Sequence, residues 1–134
     1  MKDNLFDLSG RVIVITGAAG LLGRQHADAI ASAGGVPVLL DLNLESVEIL
    51  AQELNTKYGA TAAGYAVDIT NETEVGANTH VILDKFGEID ALVNNAANNP
   101  KVENHEGKNF SRLENFSLEE WHADLAVGLT GSFL

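Results

Sequence analysis

At 134 residues, with 46% hydrophobic and 20% charged residues, the chain is sized for one globular domain around one core and lies away from disordered or collagen-like compositions. A formal net charge of −11 argues against nucleic acid and anionic membrane as partners, and the lack of cysteine excludes disulfides, thiol catalysis and zinc–thiolate sites. The opening segment MKDNLFDLSGR has no hydrophobic signal core and no apolar run nears the ~18 residues of a membrane span, so a cytoplasmic location is expected.

Residues 12–16 form a β-branched run without alternation, which predicts a strand buried on both faces, as parallel sheets require. Leu21, Leu22, Ala27, Ile30 and Ala33 then recur at helical spacing until Gly34 and Gly35 stop the helix. Residues 36–42 predict a second strand with Pro37 near its start. Asn43 then caps a helix whose Leu44, Val47, Leu50, Ala51 and Leu54 share a face. A third strand is expected over 64–69, followed by a helix capped by Thr70 or Asn71 that carries Val75, Ile82, Leu83 and Phe86, with Gly76 weakening it. A fourth strand is expected over 89–94, then a long polar loop over 98–116, and then a helix from Leu118 opened by a Ser117–Glu120 capping box and running on without a visible end. Strands alternating with helices in this way predict an open parallel sheet with helices on both faces, joined by right-handed crossovers.

The stretch RVIVITGAAGLLG at residues 11–23 carries the clearest chemistry. A dinucleotide pyrophosphate needs backbone N–H donors, a positive helix end and no side chains in the way. Gly17, Gly20 and Gly23, between a buried strand and an amphipathic helix, meet those needs. Asp41 closes the second strand eighteen residues past Gly23, where a carboxylate can accept both ribose hydroxyls of an adenosine and repel a 2′-phosphate. Leu42 and Asn43 add no compensating positive charge, and Arg24 lies inside the first helix in a surface or cap role, so NAD is expected over NADP.

TGAAGLLG at 16–23, DIT at 68–70 and NNAA at 94–97, in that order, resemble the motifs of the short-chain dehydrogenase/reductase family. The resemblance implies a Rossmann-like α/β fold, a doubly wound parallel sheet. Residues 1–134 would be a single, partial dinucleotide-binding domain, truncated after the helix that follows the fourth strand. Residue by residue, it places Gly17, Ala19, Leu22 and Gly23 around the cofactor phosphates and ribose, with Gly20 helping the turn and Leu42 following the ribose-binding Asp41. It sets Asp68 and Ile69 beside the adenine, where a helix-cap role for Asp68 would also hold. Asn95, Ala96 and Ala97 would line the ribose side, with Asn94 bracing the strand ends. Leu21 stands where the commonest form of the family has its middle glycine, and Ala97 where it usually has another.

Hydride transfer to a carbonyl needs a proton donor, which the family supplies from a Tyr-x-x-x-Lys pair; here Tyr58 precedes Ala62 and Tyr65 precedes Ile69 at plus four, so neither starts that motif. The family's catalytic serine, tyrosine and lysine are expected beyond Leu134. WHADLAVGLTGSFL resembles the family's tryptophan segment, with Gly128 where the family has an asparagine that helps hold a water on the proton relay. Glycine keeps a kink there and loses the side-chain contact. His26, His80, His105 and His122 show no metal-site pattern, and Lys101, His105, Lys108 and Arg112 in the polar loop raise an anionic substrate. Two readings remain. In the first, the chain is the cofactor-binding half of an NAD-dependent oxidoreductase acting on a small-molecule alcohol or carbonyl and inactive alone. In the second, it is a non-catalytic nucleotide-binding or subunit-interaction module. The family's helix after the fourth strand commonly contributes to a subunit interface, so the resemblance, with Leu125, Leu129 and Phe133 on that helix, implies a homo-oligomer.

Overall fold

The computed structural model describes residues 5–98 and 113–134. Its centre is a four-stranded parallel sheet in the order β3-β2-β1-β4, built from β1 (Val12–Thr16), β2 (Val36–Asp41), β3 (Ala63–Ala66) and β4 (Ala91–Val93). Helices α1 (Leu21–Ser32), α2 (Leu44–Tyr58) and α3 (Glu72–Phe86) follow the first three strands. After β4 come α4 (Leu118–Leu125), a π-helical turn (Ala126–Thr130) and the short α5 (Gly131–Phe133). Parallel strands alternating with helices on both faces make this a Rossmann-like sheet.

The continuous apolar runs of β1 and β2 follow from their central place. Ile13, Ile15 and Leu39 pack with α1 and α2 on one face, while Val12, Val14, Val38 and Leu40 pack with Ile82 of α3 on the other. Ile15, Leu39 and Val38 are fully buried, each stabilising the fold by about 1.5–3 kcal/mol relative to an exposed side chain. Asn43 caps α2 by accepting from the Ser46 N–H, and Asn71, rather than Thr70, caps α3 by accepting from Thr73 and Glu74. The Ser117 hydroxyl accepts from the Glu120 N–H and opens α4 as the spacing predicts.

The outer strands are shorter than their apolar runs. At β3, Val67 still donates to the Asp41 carbonyl, but the Asp68 carboxylate turns to the Thr70 N–H and hydroxyl, and the chain bends away from the ladder. Its helix-cap role is therefore not realised: Asp68 makes an Asx-type turn three residues ahead of the cap, and Asn71 does the capping. At β4, Asp90 precedes the strand as a clip: its carboxylate accepts from the Val12 N–H at 2.8 Å and from Arg11 at 2.6 Å, while its own N–H donates to the Val12 carbonyl. The last helix, which shows no end in the sequence, widens into the π turn around Gly128, and Gly131 packs against Ile69 so closely that a Cβ there would lie 2.8 Å from the Ile69 Cδ1.

Candidate functional site

Parallel strands end on the same side of the sheet, so the turn after β1, the ends of β2 and β3 and the residues after β4 meet over their carboxyl ends. They enclose a cleft of about 530 Å³ lined by Gly17, Gly20, Leu22, Asp41, Leu42, Asp68, Ile69, Asn95, Ala96 and Ala97, together with Leu21, Leu40, Val67, Asn98 and Val127. The first ten are residues that the sequence motifs indicate, brought together from four separate segments. Ala19 and Gly23 are placed otherwise.

Gly23 is buried under the turn, where a Cβ would lie 2.3 Å from the Gly17 carbonyl oxygen and 2.7 Å from the Ala18 Cα. It serves the close approach of α1 to β1 rather than the cleft wall. Gly17 has φ +63, and a Cβ there would lie 2.8 Å from the Ala96 Cα, so the backbones after β1 and β4 touch where only glycine fits. Ala19 donates its N–H to the Asp41 Oδ2 at 3.0 Å, and Ala18 donates to the Leu40 carbonyl, which fasten the turn to the end of β2.

Asn95 lines the cleft and also takes the bracing part expected of Asn94. The Asn95 amide donates to the Thr16 carbonyl at 2.9 Å and the Gly17 carbonyl at 3.0 Å, while its backbone N–H donates to the Thr16 hydroxyl. It therefore braces β1 against β4, the part expected of Asn94, whose own amide reaches the Ser132 carbonyl near the chain's last turn. Adjacent asparagines in NNAA look alike in sequence, and only strand register tells which faces the neighbouring strand.

The amino-terminus of α1 differs from those of the other long helices. Asn43, Asn71 and Ser117 cap α2, α3 and α4, and each of those helices carries glutamate in its first turn. At α1, Gly20 makes no side-chain cap and the first turn has no acidic residue. First-turn N–H groups have no intrahelical acceptor, so α1 presents donors and the positive end of its dipole to the cleft.

Two carboxylates flank that end. The Asp68 carboxyl is held below the usual range, chiefly by the Thr70 hydroxyl and then by its N–H, and stays ionised. Asp41 accepts from Ala19 and, at 3.3 Å, from the Asn43 N–H, and among the described residues no basic side chain lines the cleft beside it. Arg24 turns away: its Nε donates to the Ala19 carbonyl at 3.1 Å, and its guanidinium lies 3.9 Å from Glu53 in a separate groove. The Tyr58 hydroxyl donates to Asp28 on the α1–α2 surface, and neither Tyr58 nor Tyr65 lines the cleft. Lys101, His105, Lys108 and Arg112 lie outside the described residues. Among the described residues no group of three histidine, aspartate or glutamate side chains is placed to hold a metal ion, and no helix is long and apolar enough to cross a membrane.

The residues of this site lie within a stretch, 11–134, that matches the family model for short chain dehydrogenase. The chain belongs to the short-chain dehydrogenase family. Within the family it is 36% identical to the D-threitol dehydrogenase of Mycolicibacterium smegmatis over 96% of the chain and 46% of that protein. The 3-ketoacyl-(acyl-carrier-protein) reductase of Brucella melitensis, solved with NADH, superposes with a TM-score of 0.78 at 32% identity, covering 95% of this chain and 47% of that one. A metagenomic short-chain oxidoreductase solved with NADP superposes with a TM-score of 0.79 at 29% identity, over 95% and 53% of the two chains. The chain thus spans about half the length of the relatives it matches, from their amino-terminal side. Neighbours with each nicotinamide cofactor make such a cofactor the expected ligand class of the fold.

Leu40, Val67, Asn98 and Val127 also line the cleft and lie outside the site residues that the motifs indicate. Val127 enters the cleft from the π turn, and no periodicity in the segment signals a π turn.

Proposed function

We propose that residues 1–134 form one dinucleotide-binding unit, the cofactor-binding half of an NAD-dependent oxidoreductase that moves hydride between a small-molecule alcohol and its carbonyl. The observation that carries this reading is an uncapped, acid-free helix amino-terminus and the carboxylate of Asp41 opening onto one cleft. The N–H groups at the start of α1, with Gly17, Gly20 and Leu22 around them, take the pyrophosphate. Asp41 and Leu42 take the adenosine ribose, Asp68 and Ile69 flank the adenine, and Asn95, Ala96 and Ala97 line the second ribose. Ala19 and Gly23 act through the shape of the turn. The nicotinamide supplies or accepts the hydride when bound.

Asp41 also sets the choice of cofactor. A 2′-phosphate beside its carboxylate meets like charge, and Arg24, the nearby guanidinium among the described residues, is engaged with Ala19 and Glu53. No Tyr-x-x-x-Lys pair occurs in the 134 residues and Gly128 brings no side chain to the proton relay, so this chain alone binds cofactor without turning it over. Leu118, Trp121, Leu125, Leu129 and Phe133 are exposed along α4, the π turn and α5, and we assign that face to self-association. A cysteine-free, acidic chain suits the cytoplasm.

Titration with NADH, followed by nicotinamide fluorescence and displaced with ADP, tests the reading. Saturable binding reversed by ADP is expected. A signal that neither saturates nor responds to ADP overturns it.

A further inference from the structure

The bond from the Ala19 N–H to Asp41 has a consequence beyond ribose recognition. Four contacts hold the glycine turn, three from outside α1 and one from Arg24 within it: Ala18 N–H to the Leu40 carbonyl, Ala19 N–H to the Asp41 Oδ2, the Asn95 amide to the Gly17 carbonyl, and the Arg24 Nε to the Ala19 carbonyl. Three of these use fixed backbone or neutral partners, or a guanidinium at the helix surface. Only the Asp41 bond joins the turn to the side chain that also faces the adenosine end of the cleft.

We infer that Asp41 is a positioning residue for the phosphate-binding turn as well as the ribose acceptor. Its carboxylate fixes the Ala19 peptide, and through it the approach of the chain to Gly20 and the donor end of α1. The inference rests on the cofactor reading above. It implies that removing Asp41 to admit a 2′-phosphate also loosens the pyrophosphate cradle, so the substitution loses NADH without gaining NADPH in proportion.

ADP and 2′,3′-dideoxy-ADP separate the two roles, because the dideoxy compound lacks the hydroxyls that Asp41 would accept from. Calorimetric titration of the purified protein with both compounds, on wild type, Asp41→Ala and Asp41→Asn, is the test. Deleting a negative charge beside an anionic ligand strengthens binding if Coulomb repulsion is the whole account. Positioning predicts the reverse: Asp41→Ala weakens 2′,3′-dideoxy-ADP by about tenfold, the size of one lost hydrogen bond to a charged acceptor. Asp41→Asn, whose amide oxygen still accepts from Ala19, restores most of it. Equal or tighter binding of the dideoxy compound by Asp41→Ala overturns the inference. Failure of wild type to bind ADP at all overturns the cofactor reading instead. Hydrogen exchange then judges the tie itself: the Ala19 amide is expected to be protected in wild type and Asp41→Asn and open in Asp41→Ala. Free exchange of that amide in wild type overturns the positioning role whether or not the alanine variant folds.

Discussion

Two glycines and an asparagine show how much a single position decides here. A Cβ at Gly23 would lie 2.3 Å from the Gly17 carbonyl oxygen, a backbone atom that cannot swing aside, whereas a Cβ at Gly128 meets nothing within 4 Å. Gly23→Ala should therefore cost about 1–3 kcal/mol in urea unfolding, as overpacking does. Gly128→Ala should stay within about 1 kcal/mol of wild type, since alanine improves helical propensity in open space. Asn95 gives a sharper contrast. Asn95→Ala loses donors to two strand-end carbonyls and should cost about 1–3 kcal/mol. Asn95→Asp sets a carboxylate against the same two carbonyl oxygens and should unfold at lower urea than the alanine variant. An aspartate variant as stable as wild type would show that the amide does not brace the strands.

At the scale of elements, the outer strands depend on carboxylates that clip them. Asp90 is held below the usual carboxylate range, first by the Val12 N–H and then by Arg11, and its side chain is 14% exposed. A folded-state pKa below the unfolded value of about 3.9 means the stabilisation is present above that value and lost as pH falls through the folded pKa. Asp28, lowered mainly by Lys57 and then Tyr58, and Asp68, lowered by Thr70, act with the same sign. Stability should therefore be level near neutrality and fall below about pH 4. Asp90→Asn should lower the neutral-pH urea midpoint and flatten the acid limb. An acid limb as steep in the variant as in wild type would remove Asp90 from that account.

The same clips explain what the sequence could and could not tell. β1 and β2 were legible because strands buried on both faces carry unbroken apolar runs. β3 and β4 were read too long: the Asp68 carboxylate turns to Thr70 and bends the chain after β3, and Asp90 is tied to Arg11 and Val12, partners from another segment that no pattern around Asp90 shows. In the site, motif spacing brought most of the cleft together from distant segments. It could not tell Asn94 from Asn95, give Gly23 its place beneath the turn, or find Val127, because those depend on register and on a π turn.

The whole molecule carries a net charge of −11 and a long exposed apolar face on α4, the π turn and α5, where Trp121 is 51% and Phe133 is 85% exposed. Apolar burial favours association while charge opposes it, so self-association should strengthen with both protein concentration and salt. Sedimentation velocity at low and high salt measures this, and Leu129→Glu should abolish it. A monomer under all conditions would take that face out of any interface between copies.

The central claim is that a helix end suited to phosphate and a strand end barred to a 2′-phosphate share one cleft. Calorimetric titration of the same preparation with NADH and with NADPH tests it most directly. NADH should bind one to one and NADPH at least about tenfold more weakly, the difference one unfavourable charge contact of about 1.4 kcal/mol produces. NADPH binding as tightly as NADH, or more tightly, would contradict the account.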